Sequence, residues 1–429
     1  MFDRKAVLEF VKRHQMPLEG IGRYRYSQVC TQPTLYSSCY AVMTLSLLGD
    51  LDSMPAGERA QWAEYLQSFQ QDDGLLGDPV IYNQGWYAGD PFDCGRPHLT
   101  CHVLTALACL GAKAAKQFAL AREFSDLDTL KSWLEKRDWG ERVGWTGNEI
   151  MNLGTILQYS RDFHGNHKAG RAIEFVLDWL ESHHLNPATG VWGDVDTADP
   201  DLPLTPSETE GGGVGIHLWR SHAVQAAYHW WPLFAYDNRE FPYAQRAIDT
   251  LLSTQNPRGG FGWGVHNPSD PWTSSACEDI DSIDPLARLS VQVDYRRDDI
   301  RTALTRARTW VLGNQVSDGG FVFIRDVPFE YGHPELMGPA NTGAMFPTWF
   351  RTLSLAIIDQ VIQDGSIGKD AMTCHFDQRE KSLDPELDSG PPAGRNDNIG
   401  QDDTAPVWAF VDCPGFQFWR PATRDRVFE

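Results

Sequence analysis

No stretch of this sequence stays apolar for long enough to span a bilayer, no two cysteines form a CxxC pair, and strand-like alternation of apolar and polar residues is scarce. Each absence excludes something. The eight cysteines stand singly at 30, 39, 94, 101, 109, 277, 374 and 412, so reduced thiols are expected rather than a disulfide framework. Positive charge is short, with 37 Lys and Arg against 58 Asp and Glu and a formal net charge of -21. Nucleic acid and anionic membrane surfaces need basic patches, so neither is expected as a partner. The opening residues MFDRKAVLEFVKRHQMPLEG carry charges throughout and lack the apolar core and cleavage site of a signal peptide. A cytoplasmic location is the expectation.

What is present is a repeat. The chain has 429 residues, 41% apolar and 22% charged, an ordinary globular profile with an unusual 16 Trp. Gln70, Gln255 and Gln315 are each followed four residues later by glycine, at Gly74, Gly259 and Gly319. Looser copies read HLNPATGVWGD at 184–194 and KRDWGERVGW at 136–145. Gly259 and Gly319 stand 60 residues apart, which sets a period of roughly 50–70 residues. Within a unit an apolar helix comes first, as in LYSSCYAVMTLSLLGD, HLTCHVLTALACLGA or SHAVQAAYHWWPLFAY. A charged amphipathic helix follows, with apolar residues at three- and four-residue spacing such as Ala303, Leu304, Ala307, Trp310 and Val311. A Gly-rich turn closes the unit. Helices apolar all round belong inside and half-polar ones outside. Six inner helices, starting near 35, 98, 150, 217, 278 and 342, predict an all-α fold: a closed (α/α)6 toroid of six concentric helix pairs.

The domain plan follows. Residues 1–29 read as an N-terminal helix or arm and 30–372 as the toroid. Residues 373–403 are polar and Pro/Gly-rich, a flexible wrap. Residues 404–421 are apolar again, and the segment 404–429 is expected to pack back onto the ring.

An outer helix, then Gln, a Gly four residues on and an aromatic, resembles the glutamine–tryptophan repeat of squalene and hopene cyclases. It is also similar to the repeat of the protein prenyltransferase β subunit. The resemblance covers roughly residues 30–360, is strongest at 240–325, and implies the same toroid. After the turn GGFGWG the chain reads Asp279-Ile280-Asp281-Ser282, where class II terpene cyclases carry Asp-x-Asp-Asp. The resemblance implies Asp281 as general acid and Asp279 as its partner, with Ser282 departing from the pattern. It implies a proton-initiated cyclisation of a small isoprenoid, the chain being too short for the second helical domain of those cyclases.

The ends of the inner helices supply the remaining candidates. Glu278 crowds Asp279 and Asp281, and crowding in a dry cavity keeps a proton on one carboxyl. His222 or His333 could position that proton. Asp284 before Pro285 reads as a helix cap. Arg220, Trp219, His98, His102, Tyr36 and Glu149 are expected to contact substrate. The Gly-rich stretch before Arg220 lacks the P-loop pattern, and no DDxxD occurs, which weighs against ionisation-dependent terpene synthesis. Trp86, Trp145, Trp230, Trp263 and Phe346 are available to steady cations. No cofactor is required, but Cys277, Asp279 and His333 form an alternative zinc or magnesium set, by analogy with the prenyltransferases. That set would imply a zinc-dependent, prenyltransferase-like enzyme. Two more readings stay open. One is a carbohydrate-active enzyme on an α/α toroid, which a polar lumen with paired acids would suit, and the second is a noncatalytic binding protein. The partner in each enzymatic case is a small molecule.

Overall fold

The computed structural model describes residues 2–82, 85–88, 92, 95–199 and 215–363. The tail expected to wrap and dock lies outside them, as does most of the Gly-rich stretch before Arg220. In chain order the helices are α1 (Arg4–Arg13), α2 (Leu35–Leu47), α3 (Ala56–Gln67), α4 (Arg96–Cys109), α5 (Ala119–Glu123), α6 (Leu127–Glu135), α7 (Val143–His164), α8 (His167–Ser182), α9 (Gly215–Tyr236), α10 (Ala244–Ser253), α11 (Ala276–Gln292), α12 (Arg297–Leu312) and α13 (Met345–Gln363). Among the described residues, strand is confined to two short antiparallel pairs, at 185–192 and 329–338. No described helix is long and apolar enough to cross a membrane.

Six helices form the inner ring, and each step round it can be named. The Tyr36 hydroxyl on α2 lies 2.7 Å from His98 Nδ1 on α4. The Cys101 thiol on α4 points at the carbonyl of Asn152 on α7. Gln158 on α7 donates to the carbonyl of Leu233 on α9 at 3.0 Å. Gln225 on α9 shares a small cavity with Asp281 on α11. Arg351 on α13 donates to Asp279 on α11 at 2.7 Å. The ring closes where Phe346 on α13 meets Tyr40 on α2, with centroids 5.3 Å apart. All 13 residues of α2 are buried, as an inner helix requires.

The outer layer follows the alternation read from the sequence, with one difference. The sequence makes residues 1–29 an N-terminal helix or arm outside the ring; the helix is present as α1, and it takes the place of the sixth outer helix. The turn at Gly74 (φ +89°) presses on the chain entering α5, where a Cβ would meet Gln117 O at 2.2 Å. The turn at Gly319 (φ +92°) presses in the same way on α1, where a Cβ would meet Ala6 O at 2.4 Å. Left-handed backbone and contact with a neighbouring carbonyl both require glycine there. The last turn of the chain therefore packs on its first helix, and Phe10 and Val11 of α1 are fully buried.

The repeated glutamines close these turns. Gln70 Nε2 donates to Gly74 O and Lys116 O, and its Oε1 accepts from the amides of Ala115 and Lys116. Gln255 and Gln315 donate in the same way to Gly259 O and Gly319 O. The residue two beyond each glycine then hands its amide to an inner helix. Leu76 N donates to Thr100 Oγ1, Phe261 N to Asp279 Oδ1 and Phe321 N to Thr348 Oγ1. These three acceptors sit at the same place in their repeats.

Candidate active site

That equivalence gives Asp279 its role. Besides Phe261 N, its carboxylate accepts from Trp310 Nε1 at 3.0 Å and Arg351 Nη1 at 2.7 Å, and both Asp279 and Arg351 are sealed from solvent. Arg351 also donates to the carbonyls of Val322, Ser274 and Phe323. Burial raises the Asp279 carboxyl to about 6, with Arg351 pulling against it, so the pair is ionised at neutral pH. Asp279 is thus the charged form of a position that is threonine in two of the repeats. Its carboxylate is taken up by these three donors.

The helix that carries these acids starts earlier than expected. Ser275 and Glu278 form a capping box: Glu278 N bonds to Ser275 Oγ, and Ser275 N bonds to Glu278 Oε2 at 2.9 Å. Asp284 is therefore no cap. It lies within α11 and pairs with Arg288 one turn on, at 2.9 Å. Pro285 sits inside the helix as well, four residues after Asp281. It has no N–H to bond the Asp281 carbonyl in the helical ladder.

Glu278 is held as an anion. Its Oε1 accepts from Val265 N at 3.0 Å, and His266 Nδ1 lies 3.5 Å from Oε2 and 3.0 Å from Ser275 Oγ. Burial pushes this carboxyl up, but His266 and Ser275 outweigh it and the net displacement is downward. Asp281 is the opposite case. Burial pushes it well above the ordinary range, and the charges on Glu278 and Asp279 push the same way. No described residue hydrogen-bonds to its side chain. It borders a cavity of about 10 Å³ with Glu278, Ser282, Ser221, Gln225 and Thr254, room for about one water. One carboxyl displaced downward and its neighbour displaced upward is the arrangement that can separate two acids into different roles.

Facing them, α9 presents His222, Gln225 and His229 on one stripe. These three are half-buried, whereas most of the surrounding helix is sealed, as expected of side chains lining a lumen. Burial drives both His222 and His229 down to about 4, so both are neutral at pH 7. The remaining charges felt by His222 are those of His266 and Glu278. On the far wall, His98 and His102 stand with ring centroids 4.5 Å apart, and Tyr36 packs against both. Burial lowers His98 strongly and His102 to about 4. The field of His229 also reaches His98, although α7 stands between their helices in the ring. Tyr36, Tyr40, Tyr331 and Phe346 form an aromatic wall beside the histidines.

The rest of the expected residues take different places. Arg220 lies two positions from His222, about 200° round the helix, and donates through Nε to Thr197 O at 3.0 Å. It faces away from the lumen stripe. Trp219 lies nearer, 6.3 Å from His222 between ring centroids. Glu149 is paired with Arg137 at 2.6 Å. Trp230 is fully buried packing, while the Trp86 side chain lies outside the described residues. The alternative metal set is not assembled. Asp279 is occupied by its three donors, and His333 caps a short turn through Glu335 N and acts on Asp78. Among the described residues no three His, Cys, Asp or Glu side chains gather as a metal site. His266, Arg351, Gln225 and His229 are site residues that the sequence reading missed. A lone arginine within the apolar run of α13 was a usable sign, because a buried charge needs a partner.

No family model matches the chain, and no curated protein does. Among solved structures, a polysaccharide lyase is 12% identical over 85% of this chain and 98% of its own, with a TM-score of 0.46. An unsaturated glucuronyl hydrolase specific for heparin is 12% identical over 84% of this chain and 96% of its own, at 0.45. The GH76A α-1,6-mannanase from Salegentibacter sp. HEL1_6 is 11% identical over 84% and 98%, at 0.39. Likenesses at this level carry no argument about reaction or substrate, which the side chains must supply.

Proposed function

We propose that this chain is an acid–base enzyme acting on a hydroxylated, carbohydrate-type substrate in the lumen of the toroid. The observation that carries the reading is the placement of Asp281: a carboxyl buried one helical turn from Glu278, bordering a cavity with Ser221, Gln225 and Thr254, with no hydrogen-bond partner among the described residues. Asp281 gives its proton to the leaving oxygen of a glycosidic bond. His222, neutral at pH 7, takes a proton from the attacking water, so that water is added across the broken C–O bond. Glu278 stays ionised against His266 and discourages loss of the Asp281 proton before substrate arrives.

The same acid would serve the polyene cyclisation expected from the sequence. What weighs against that reaction is the rest of the lumen. Carbocations survive where only aromatic faces and alkyl groups meet them. Here neutral imidazoles at His98, His102, His222 and His229 present lone pairs that would take a proton from such a cation or trap it. Hydrogen-bonding side chains suit hydroxyl groups instead.

The test is a two-arm screen of the purified protein. Neutral and acidic glycans are assayed for new reducing ends, and squalene and polyprenyl diphosphates for cyclised products. Release of reducing ends that falls at least about 100-fold in Asp281→Asn, with circular dichroism unchanged, supports the reading. Cyclised hydrocarbon with no glycan product overturns it.

A further inference from the structure

Between α12 and α13 the chain makes a hairpin over residues 327–340, closed by the pairs Phe329–Gly338 and Glu330–Met337. So short a ladder has little stability of its own, and contacts with the ring hold it in place. The base below it is fixed. Phe321 pairs with Ala344, and the carbonyls of Val322 and Phe323 accept from the buried Arg351. Just beyond that base, Asp326 and Asn341 face each other across the two strands. Both have positive φ, 64° and 55°, a backbone form that side chains other than glycine seldom take and that Asp and Asn tolerate best. Each holds the other: Asp326 N donates to Asn341 Oδ1 at 3.1 Å, and Asn341 Nδ2 to Asp326 Oδ1 at 2.8 Å. A clasped pair of left-handed residues at the foot of a hairpin supplies two hinge points. The other end is latched. The Glu335 carboxylate accepts from Thr31 N at 2.7 Å, Thr31 Oγ1 at 2.8 Å and Gln32 N at 3.0 Å, on the chain entering α2.

Between hinge and latch the hairpin is seated imperfectly. A cavity of about 10 Å³ lies there, bordered by Tyr26, Phe323, Val327, Phe329 and Pro339. Tyr26 is sealed from solvent, and its hydroxyl has no hydrogen-bond partner among the described residues. A void and an orphaned hydroxyl make this seat easier to separate than a close-packed core. What the hairpin covers is the far wall of the lumen. It carries Tyr331, whose ring lies 4.8 Å from Phe346, 5.8 Å from Tyr36 and 6.5 Å from His98. Phe329 stacks on Phe323 at 3.6 Å, and Phe323 meets His266, the neighbour of Glu278, edge-on at 5.3 Å. Ser27 and Tyr87 donate to the carbonyls of Met337 and Tyr331, bonds that also break if the hairpin lifts. Under the returning strand lies the Cys30 thiol, 3% exposed and 3.5 Å from the Met337 carbonyl.

We infer that the hairpin 327–340 is a hinged cover. It swings about the Asp326–Asn341 clasp, releases Glu335 from Thr31 and Gln32, and lifts Tyr331 off the wall formed by Tyr36 and His98. The inference rests on the carbohydrate reading above only for what then enters the lumen.

The experiment reads the opening without a substrate. On the full chain, alkylation of Cys30 by iodoacetamide and acylation of His98 by diethyl pyrocarbonate are followed by peptide mass spectrometry. Cys39 and Cys101, fully buried in α2 and α4, report global unfolding. In wild type Cys30 should react faster than either of them. In Glu335→Ala, which loses the hydrogen-bonded charge, Cys30 and His98 should both react about 10- to 100-fold faster, with Cys39 and Cys101 unchanged. Asn341→Gly keeps the left-handed backbone, loses the clasp, and should speed both sites in the same direction. Cys30 reacting as slowly as Cys39 in every protein overturns the cover, and so does a faster Cys30 beside an unchanged His98. An Asn341→Gly chain that behaves as wild type overturns the hinge. Acceleration of all four sites together would show that Glu335 holds the whole fold, and also overturns the inference. An opening cover with no turnover of any glycan removes the proposed reaction alone. Glycan turnover by a chain in which Cys30 and His98 stay closed removes the cover alone.

Discussion

Replacing Asp279 by threonine asks directly whether this carboxylate is part of the ring or part of the chemistry. Thr100 and Thr348 show that a threonine hydroxyl at the equivalent position can accept the turn amide, so Phe261 N–H should keep an acceptor. What the substitution removes is the partner of Arg351, which is sealed from solvent. Breaking a buried ion pair from one side costs about 3–5 kcal/mol, because the remaining charge is stranded. The Trp310 Nε1–H loses its acceptor too, at about 1 kcal/mol. Against a total stability of about 5–15 kcal/mol, Asp279→Thr alone should shift the urea midpoint severely. Adding Arg351→Met removes the stranded charge but also the donor to the carbonyls of Val322, Ser274 and Phe323, so the double variant should regain only about 1–2 kcal/mol over the single one. Tryptophan fluorescence and far-UV circular dichroism during urea unfolding complete the cycle. A cost below about 1 kcal/mol for Asp279→Thr, or a double variant worse than the single, would refute the structural role.

Further outcomes follow from the same framework. Gln70→Ala removes one hydrogen bond within its own turn and three to the chain entering α5, and should cost about 2–3 kcal/mol in thermal unfolding; an unchanged Tm would make the repeated glutamine dispensable. Phe10→Ala should cost about 3–5 kcal/mol, as for a core residue, whereas a peripheral arm would tolerate it. His102 is held neutral with its pKa lowered from 6.5 to about 4, so the unfolded chain takes up this proton first. Stability from this group is full above pH 6.5 and falls by about 3 kcal/mol as pH drops to 4. Urea midpoints across that range should flatten in His102→Gln, and an unaltered slope would show that the imidazole is not neutral in the native state.

Much of the ring was legible because its cause is local. An inner helix must be apolar all round, and α2 and α4 announce themselves in that way. The Gln and Gly of each turn are required by backbone geometry that side-chain chemistry cannot disguise. The side of α11 taken by each acid was harder to read. Asp279 and Asp281 are two residues apart, which on a helix places them about 200° round from each other. A cap at Asp284 would leave both in a loop, free to share one proton. The Ser275-x-x-Glu278 signature was present in the sequence and would have moved the helix start. Arg351 and His266 come from distant segments, and no local pattern pairs them with Asp279 and Glu278. The direction of Arg220 was likewise a matter of helix phase, and only the position of Thr197 fixes it.

The central claim is that Asp281 stands protonated in the lumen while Glu278 and Asp279 are ionised. Infrared difference spectroscopy of wild type against Asp281→Asn, near neutral pH, reads this without knowledge of the substrate. The account predicts the carbonyl stretch of a neutral carboxylic acid in wild type and its loss in Asp281→Asn. Bands of ionised carboxylate alone, or a neutral-acid band that survives the substitution, would contradict it.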